Sequence, residues 1–205
     1  MSFYKNGYEV VKNAISSETA ELAATEFEIL KRVICVSNGY PIDYNVISDT
    51  ALDNCFGWYS PFCFEALSLL IQPKVEKVVN KKLWPTYSYG RIYYNSAVLP
   101  RHCDRDSSEY AVSVCIKKDA ISWPIGFKSY CGKEELFELE NGDMCVYSGN
   151  NIEHWRDPFQ GKAHIQAFIF YVGQESKYSV LKYDTRPYLG MSTDSRTIHD
   201  KKINV

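Results

Sequence analysis

The spacing of apolar and polar residues changes near residue 83 and divides the chain into two parts. Residues 17–35 start with Ser and acidic residues and carry apolar side chains at helical spacing, which predicts an amphipathic helix. Residues 64–82 predict further helix, either kinked at Pro73 or split there into two, because proline cannot donate the helical hydrogen bond. Between them, residues 36–61 are rich in Asn, Asp, Ser, Gly and Pro and predict a loop.

From residue 83 onward the apolar residues alternate as they do in strands. Short β-branched and aromatic segments, separated by turn signals, begin at residues 83, 110, 121, 135, 143 and 163. Strands at this spacing indicate a sandwich or jelly roll, with the earlier helices laid on one face.

The sequence therefore predicts a single α+β domain over residues 1–205. Residues 1–82 form mainly helical support, residues 83–172 the jelly-roll core, and residues 173–205 a C-terminal extension. The extension is polar after Lys182, and we expect that part to be loosely attached.

Composition narrows the function classes. The net charge is −2, so no strong overall field favours nucleic acid, and no apolar run approaches the roughly 20 residues that span a bilayer. The N-terminus lacks the apolar stretch of a signal peptide, and the seven cysteines include no C-x-x-C pair. We expect a cytoplasmic protein with reduced thiols that binds neither nucleic acid nor membranes.

Three residues offer metal-ligand chemistry at a suitable spacing. His102 and Asp104 are one residue apart in a strand-like segment, and His154 follows fifty residues after Asp104 between two further strand-like runs. Residues i and i+2 of a strand point to one side, so His102 and Asp104 can bind one ion while Cys103 faces away. Two histidines and a carboxylate form the facial triad of non-haem Fe(II) oxygenases, which leaves the opposite face of the ion open. The alternative role for each histidine is that of a hydrogen-bonded core residue.

Six short motifs together carry a family resemblance. They occur in the order PTYSYGRIY (85–93), HCDR (102–105), WPI (123–125), NGD (141–143), EHWR (153–156) and QAFIFYV (166–172). In this order they resemble the 2-oxoglutarate- and Fe(II)-dependent oxygenases of the prolyl-4-hydroxylase-like superfamily, in particular a branch from microbes and viruses. The resemblance covers roughly residues 62–172.

The resemblance implies a fold, cofactors and a reaction. The fold would be a cupin-like jelly roll, the double-stranded β-helix, flanked by N-terminal helices. Fe(II), held by His102, Asp104 and His154, would act with 2-oxoglutarate as cosubstrate and O2. The expected reaction hydroxylates an unactivated C–H of a peptide or protein side chain, an amino acid or another small molecule, and releases succinate and CO2. Asp104 favours hydroxylation, because related halogenases carry a small residue at this position.

The cation for the C5 carboxylate of 2-oxoglutarate is less clearly marked. In the superfamily it usually follows the distal histidine by about ten residues, where this chain has His164. Arg91 is a candidate because it alternates with Tyr93, which resembles the tyrosine that contacts the cosubstrate, and Arg156 is another because it shares a strand face with His154. Each arginine has an alternative role in stacking or ion pairing.

Two other functions stay open. One is a cupin-like metal dioxygenase that uses the same ligands without 2-oxoglutarate, and the other is a non-catalytic jelly-roll binding module.

Smaller features have simpler expected roles. Trp123 is expected in the core, residues 141–143 as a hairpin turn, and His199 on the solvated surface. Arg105 would hold a substrate carboxylate or pair with Glu109.

Overall fold

The computed structural model of the chain describes residues 2–44 and 52–192. Its helices are α1 (Ser2–Asn6), α2 (Ser17–Ser37) and α3 (Phe62–Val79). Its strands are β1 (Tyr8–Val11), β2 (Cys55–Tyr59), β3 (Leu83–Tyr94), β4 (Leu99–His102), β5 (Tyr110–Lys117), β6 (Ile125–Lys128), β7 (Glu134–Phe137), β8 (Met144–Tyr147), β9 (His154–Arg156) and β10 (Ala163–Gly173). A short 3-10 helix spans Asp106–Ser108, and a second 3-10 segment, Ser179–Thr185, is interrupted by non-helical backbone at Lys182, Tyr183 and Asp184. None of the helices in the described ranges has the length and apolar character needed to cross a membrane.

The strands form two antiparallel sheets that face each other. The major sheet has the order β1-β8-β5-β10-β3-β2, and the minor sheet has the order β4-β9-β6-β7. The chain passes repeatedly from one sheet to the other, so strands close in space are distant in sequence. This arrangement is a jelly roll and confirms the predicted fold class.

Helix α2 forms where the sequence predicts it. The Ser16 side chain accepts a hydrogen bond from the Thr19 backbone N–H at 3.2 Å and caps the first turn. Phe27 is fully buried on the apolar face and packs against Phe56 and Phe64, so the helix is attached to both β2 and α3.

Helix α3 runs through Pro73 as one element and is not split. Proline leaves the carbonyl four residues earlier, that of Leu69, without its helical partner. Leu69 is 49% exposed, so it lies on the water-facing side of the helix, where water can bond the freed carbonyl.

The first third of the chain also contributes two strands. β1 pairs with β8 at one edge of the major sheet, and β2 pairs with β3 at the other. The predicted loop over 36–61 is therefore wrong at Cys55–Tyr59. This segment is short and follows turn-rich residues, and its pairing with β3 makes it a strand.

The core has two layers, one on each face of the major sheet. Ile92 and Ile169 lie on the outer face, against the helices, whereas Tyr93 and Phe168 lie on the inner face, toward the minor sheet. Alternation along β3 and β10 produces both layers, since neighbouring strand residues point to opposite faces.

Residues 141–143 join β7 of the minor sheet to β8 of the major sheet, so the predicted hairpin turn is wrong. Gly142 has φ +88°, which glycine adopts without strain. The Asp143 carboxylate fixes the crossover by accepting hydrogen bonds from the backbone N–H groups of Asn13 and Glu140. The same turn residues serve both kinds of connection, so local sequence does not distinguish them.

The segment after Lys182 is firmly attached as far as residue 192, contrary to expectation. Arg186 is buried and pairs with the buried Glu65 at 3.1 Å. It also donates to Ser60 Oγ at 2.7 Å and to the Thr86 carbonyl at 2.9 Å. These bonds join the segment to α3 and β3. Residues 193–205, which include His199, lie outside the described residues.

We predict that Arg186→Met destabilises the fold by about 3–5 kcal/mol, because the Glu65 carboxylate is left buried without its cation. Urea denaturation followed by circular dichroism measures the change. Lys82→Met is the matched control, since Lys82 pairs with Glu76 at 2.7 Å on the surface, and should cost about 1 kcal/mol or less. Equal effects of the two substitutions would contradict the prediction.

Candidate metal centre

The pairing of β4 with β9 brings the two candidate histidines together. His102 on β4 lies directly opposite His154 on the neighbouring strand β9, and their ring centroids are 4.2 Å apart. Asp104 lies two residues beyond the end of β4, where its backbone N–H donates to the Gly149 carbonyl at 2.8 Å. Cys103 is exposed, in agreement with the predicted alternation.

The three side chains converge on one point. Asp104 Oδ1 lies 3.5 Å from His102 Nε2 and 3.8 Å from His154 Nε2, and one ligand atom from each of the three residues lies within 4.8 Å of the others. Ligand atoms about 2.1 Å from one ion at right angles are about 3 Å apart, so only a small contraction is needed. Within the described ranges 2–44 and 52–192, no other group of three such residues is as close.

Backbone carbonyls fix the protonation of both imidazole rings. His102 Nδ1 lies 2.8 Å from the Pro100 carbonyl oxygen, and His154 Nδ1 lies 3.0 Å from that of Ile152. A carbonyl oxygen only accepts, so each Nδ1 carries the hydrogen and each Nε2 presents a lone pair toward Asp104. This is the tautomer that binds a metal ion through Nε2.

The two histidines differ in their surroundings. Burial lowers the pKa of His154, and the negative charge of Asp104 only partly opposes this. For His102, burial also lowers the pKa, but hydrogen bonds to Asp104 and the Pro100 carbonyl outweigh it and raise the pKa overall. The buried His154 is therefore the more readily available neutral ligand near neutral pH.

The three residues open into a cavity of about 170 Å³ inside the barrel. Its walls are mostly aromatic and include one arginine, and it is lined by Tyr87, Tyr89, Arg91, Leu99, Tyr147, Phe168 and Phe170 together with the three candidate ligands. The volume is below the roughly 300–1,000 Å³ of typical small-molecule sites, so it suits a compact ligand.

Arg91 lies on this cavity wall, half-buried. Its guanidinium carbon is 5.0 Å from the ring centroid of Tyr89 and 5.8 Å from that of Phe168. Tyr93, two residues further along β3, is fully buried, and burial raises its pKa while the charges of Arg91 and Arg156 oppose the shift. The phenol of Tyr93 therefore lies within the field of both guanidinium groups.

Trp123 packs against the other three candidate residues for cosubstrate binding, Tyr93, His164 and Arg156. Its ring centroid is 4.8 Å from that of Tyr93 and 5.3 Å from that of His164, and the Arg156 guanidinium carbon lies 4.6 Å from it. Arg156 donates from Nη1 to the Trp123 carbonyl. Trp123 is buried, as predicted, and its backbone carbonyl also positions the Arg156 guanidinium group.

Most of the unsatisfied buried polar atoms belong to this region. Seven buried side-chain N or O atoms have no hydrogen-bond partner among the described residues, and five of them come from four candidate residues. They are Asp104 Oδ2, Tyr93 Oη, Arg156 Nε, Arg156 Nη2 and His164 Nδ1. Such atoms cost free energy unless a ligand pairs with them. A cation would pair with Asp104 Oδ2, and an anion would accept hydrogen bonds from Arg156, from the Tyr93 hydroxyl and from His164.

Two residues at the metal end escaped the sequence interpretation. Tyr147 packs against His154 with ring centroids 4.6 Å apart, and inward alternation along β8 is the signal that marks it. Gly149 lies so close to Asp104 that a methyl group there would come within 2.9 Å of Oδ2 and clash with the Ser108 carbonyl. No local pattern reveals this contact.

Arg105 pairs with Asp184 of the C-terminal segment at 2.7 Å, and not with Glu109. Its guanidinium carbon stacks 4.2 Å from the Tyr87 ring centroid, beside the cavity. Glu109 instead accepts hydrogen bonds from the Gly173 N–H and the Ser176 hydroxyl.

Solved structures share this architecture across most of the chain. HygX from Streptomyces hygroscopicus, with nickel and 2-oxoglutarate bound, has 14% identity and a TM-score of 0.65 over 85% of each chain. A Pseudomonas putida prolyl-4-hydroxylase has 11% identity and a TM-score of 0.60 over 83% of this chain and 94% of that one. The α-ketoglutarate-dependent epimerase SnoN from nogalamycin biosynthesis has 11% identity and a TM-score of 0.64, with 83% and 80% covered.

The chain has the fold of the 2-oxoglutarate-dependent oxygenases. The predicted resemblance is thus confirmed at the level of the fold. Neither family sequence models nor curated protein sequences give a match. At these identities the oxygenase fold itself does not determine the reaction, since a hydroxylase and an epimerase share it.

We predict that Gly149→Ala weakens metal binding by about 10- to 100-fold, because the added methyl group clashes with the Ser108 carbonyl and contacts the Asp104 carboxylate, and so shifts this carboxylate from its position. Isothermal titration with Ni(II) measures the affinity, and thermal melting reports the fold. Gly173→Ala is the control, since its methyl group would come no nearer than 3.3 Å to the surrounding atoms. Unchanged Ni(II) affinity in Gly149→Ala would show that the contact does not position the carboxylate.

We predict that His164 makes the fold acid-sensitive. Burial and the charge of Arg156 lower its pKa to about 3. The unfolded chain therefore binds the proton below about pH 6.5 while the folded chain does not, so stability falls as the pH drops from 6.5 toward 3. Between pH 7 and pH 5 the wild type should lose about 2 kcal/mol more than His164→Gln, as measured by urea denaturation. Parallel pH profiles would contradict the assignment.

Proposed function

We propose that the chain is an Fe(II)- and 2-oxoglutarate-dependent dioxygenase that hydroxylates an unactivated C–H and releases succinate and CO2. The observation that carries the proposal is the convergence of His102, Asp104 and His154 on one point of a cavity that Arg91 also lines. The oxygenase fold supports it.

The donor set fits Fe(II). Two imidazole Nε2 lone pairs and a carboxylate with an unsatisfied Oδ2 offer three ligands on one side, which leaves coordination positions for other molecules. When bound, iron supplies the redox chemistry that couples oxidation of 2-oxoglutarate by O2 to oxidation of a C–H bond. The protein residues hold the metal, orient the cosubstrate and exclude water.

We infer that the C5 carboxylate of 2-oxoglutarate binds between Arg91 and Arg156, beside the Tyr93 hydroxyl. Arg91 lines the cavity of the metal ligands, and Arg156 has Nε and Nη2 unpaired and buried. Burial lowers the pKa of Arg156, so an anion beside it regains much of the lost solvation. Two donors of guanidinium type also suit the planar geometry of a carboxylate.

His164 occupies the position where the superfamily usually has a cation, but we infer that it contributes a neutral donor. The Gln166 side-chain nitrogen lies 2.9 Å from His164 Nε2 and donates to it, so Nδ1 carries the hydrogen. That N–H has no acceptor among the described residues and is available to a bound carboxylate.

The aromatic walls of the cavity provide a shielded environment. Tyr87 stacks on Phe170 at 4.4 Å, and Tyr147 is fully buried beside His154. Excluding water strengthens the electrostatic interactions inside the cavity and limits side reactions.

We further propose that the substrate is a small molecule, an amino acid, or a peptide or protein side chain. Among the structural neighbours, HygX has a structure with hygromycin B bound, and another neighbour is a prolyl-4-hydroxylase. Asp104 leaves no room for a halide ligand, which favours hydroxylation over halogenation.

Anaerobic titration tests the proposal. Fe(II) and 2-oxoglutarate together should give a weak visible charge-transfer band that neither gives alone and that His102→Ala abolishes. Metal binding without the band would favour the cupin-like dioxygenase that does not use 2-oxoglutarate. No metal binding would leave a non-catalytic binding module.

We predict that Arg91→Met and Arg156→Met each weaken 2-oxoglutarate binding by about 10- to 100-fold, since each removes a charge-assisted contact. The concentration dependence of the charge-transfer band measures the affinity. Arg101→Met is the control, because Arg101 lies on the surface and pairs with Glu134. If one of the two variants binds 2-oxoglutarate like the control, that arginine is not an anchor.

A further inference from the structure

A second, larger groove lies beside the metal cavity. It has a volume of about 530 Å³ and runs between α2, the end of β2 and the C-terminal segment. Its surface is largely apolar and includes Trp58, Tyr59, Phe62, Tyr89 and Met191. Unlike the metal cavity, its size falls in the range of small-molecule sites.

The groove and the metal cavity share a wall. Tyr89 lines both of them. Tyr59 of the groove stacks on Tyr87 of the cavity with ring centroids 5.4 Å apart and an angle of 17° between the rings. The metal cavity is too small for a cosubstrate together with the whole of a substrate. A molecule that presents one C–H to the metal cavity can place the rest of its body in the groove.

Among the described residues that line the groove, Glu26 of α2 is the only charged one, and its charge is negative. Glu26 Oε2 is buried and accepts no hydrogen bond from the described residues. The neighbouring Cys63 thiol is neutral, because burial, and then a hydrogen bond to Glu26, raise its pKa.

Two arginines lie close to the groove without lining it. Arg186 is 5.1 Å from the Tyr59 ring centroid, but its charge is balanced by Glu65. Arg91 is 5.0 Å from the Tyr89 ring centroid and lines the metal cavity instead. Aromatic rings attract cations through their faces, and Trp58 and Phe62 add two more rings beside Glu26.

We propose that this groove binds the body of a small-molecule substrate that carries an ammonium group, with Glu26 as its counter-ion. Aromatic faces and one carboxylate complement an organic cation, and they disfavour an anion. The role of the bound molecule as a substrate rests on the proposed dioxygenase function, whereas the binding of an organic cation does not.

The test is a titration of the full chain, without metal or 2-oxoglutarate, by three probes of one shape. They are cyclohexylmethylammonium, the neutral cyclohexylmethanol and the anionic cyclohexanecarboxylate. Proton–nitrogen NMR follows the indole signal of Trp58, which is assigned with Trp58→Phe. The ammonium probe should bind at least about fivefold more tightly than the alcohol, and the carboxylate should bind more weakly than both.

Two substitutions test whether the charge of Glu26 causes the preference for the ammonium probe. Glu26→Gln keeps the size of the side chain and should remove the preference for the ammonium probe. Glu21→Gln, at an exposed position of the same helix, should retain it. Equal binding of the three probes, or an unchanged preference in Glu26→Gln, would overturn the proposal. Tenfold tighter binding of acetyl-Gly-Lys-Gly-amide than of the ammonium probe would also overturn it, in favour of a peptide ligand.

The two proposals can fail separately. A missing charge-transfer band with Fe(II) and 2-oxoglutarate would remove the dioxygenase function and leave the cation site intact. An absent ammonium preference in a protein that shows the band would remove only the cation site.

Discussion

The antiparallel pairing of β4 with β9 is the constraint on which the candidate metal centre depends. It places His102 opposite His154, while carbonyl oxygens two residues earlier hold each Nδ1. The backbone therefore determines both the separation of the rings and their tautomers, with little freedom left to the side chains. The third candidate ligand, Asp104, is positioned by a backbone hydrogen bond to Gly149 in the loop after β8. Three chain segments thus meet at one point because the two sheets hold them there.

The interior of the barrel contains both a carboxylate, that of Asp104, and the guanidinium groups of Arg91 and Arg156. The three candidate metal ligands and Arg91 line the same cavity, and the guanidinium group of Arg156 is buried beside Trp123. Burying an unpaired guanidinium group is unfavourable, and the neutral state of His164 avoids adding a second unpaired cation beside Arg156. A small dianion that chelates a metal ion at one end and binds the arginines at the other matches this distribution of charge.

The C-terminal segment contributes to the wall of the site as well as to the stability of the fold. Arg186 attaches it to α3 through Glu65, and Asp184 accepts hydrogen bonds from Tyr59 and Arg105 at the edge of the metal cavity. Tyr183 and Asp184 have φ values of 54° and 56°, which non-glycine residues rarely adopt. Such backbone strain persists only where surrounding contacts enforce it, and here they hold the segment against the cavity and the adjoining groove.

The sequence alone determined the local elements and one pair of candidate ligands: the alternation that makes β3 and β10 strands, the capped α2, and the H-x-D spacing of His102 and Asp104. Each of these depends on residues close together in the chain, so periodicity and short motifs reveal it. Tertiary structure decided which strands meet, that Cys55–Tyr59 is a strand, and that residues 141–143 cross between sheets. It also decided where Arg91, Arg156 and His164 lie relative to Tyr93. These features depend on contacts between residues far apart in sequence, whose geometry exists only after the two sheets pack against each other.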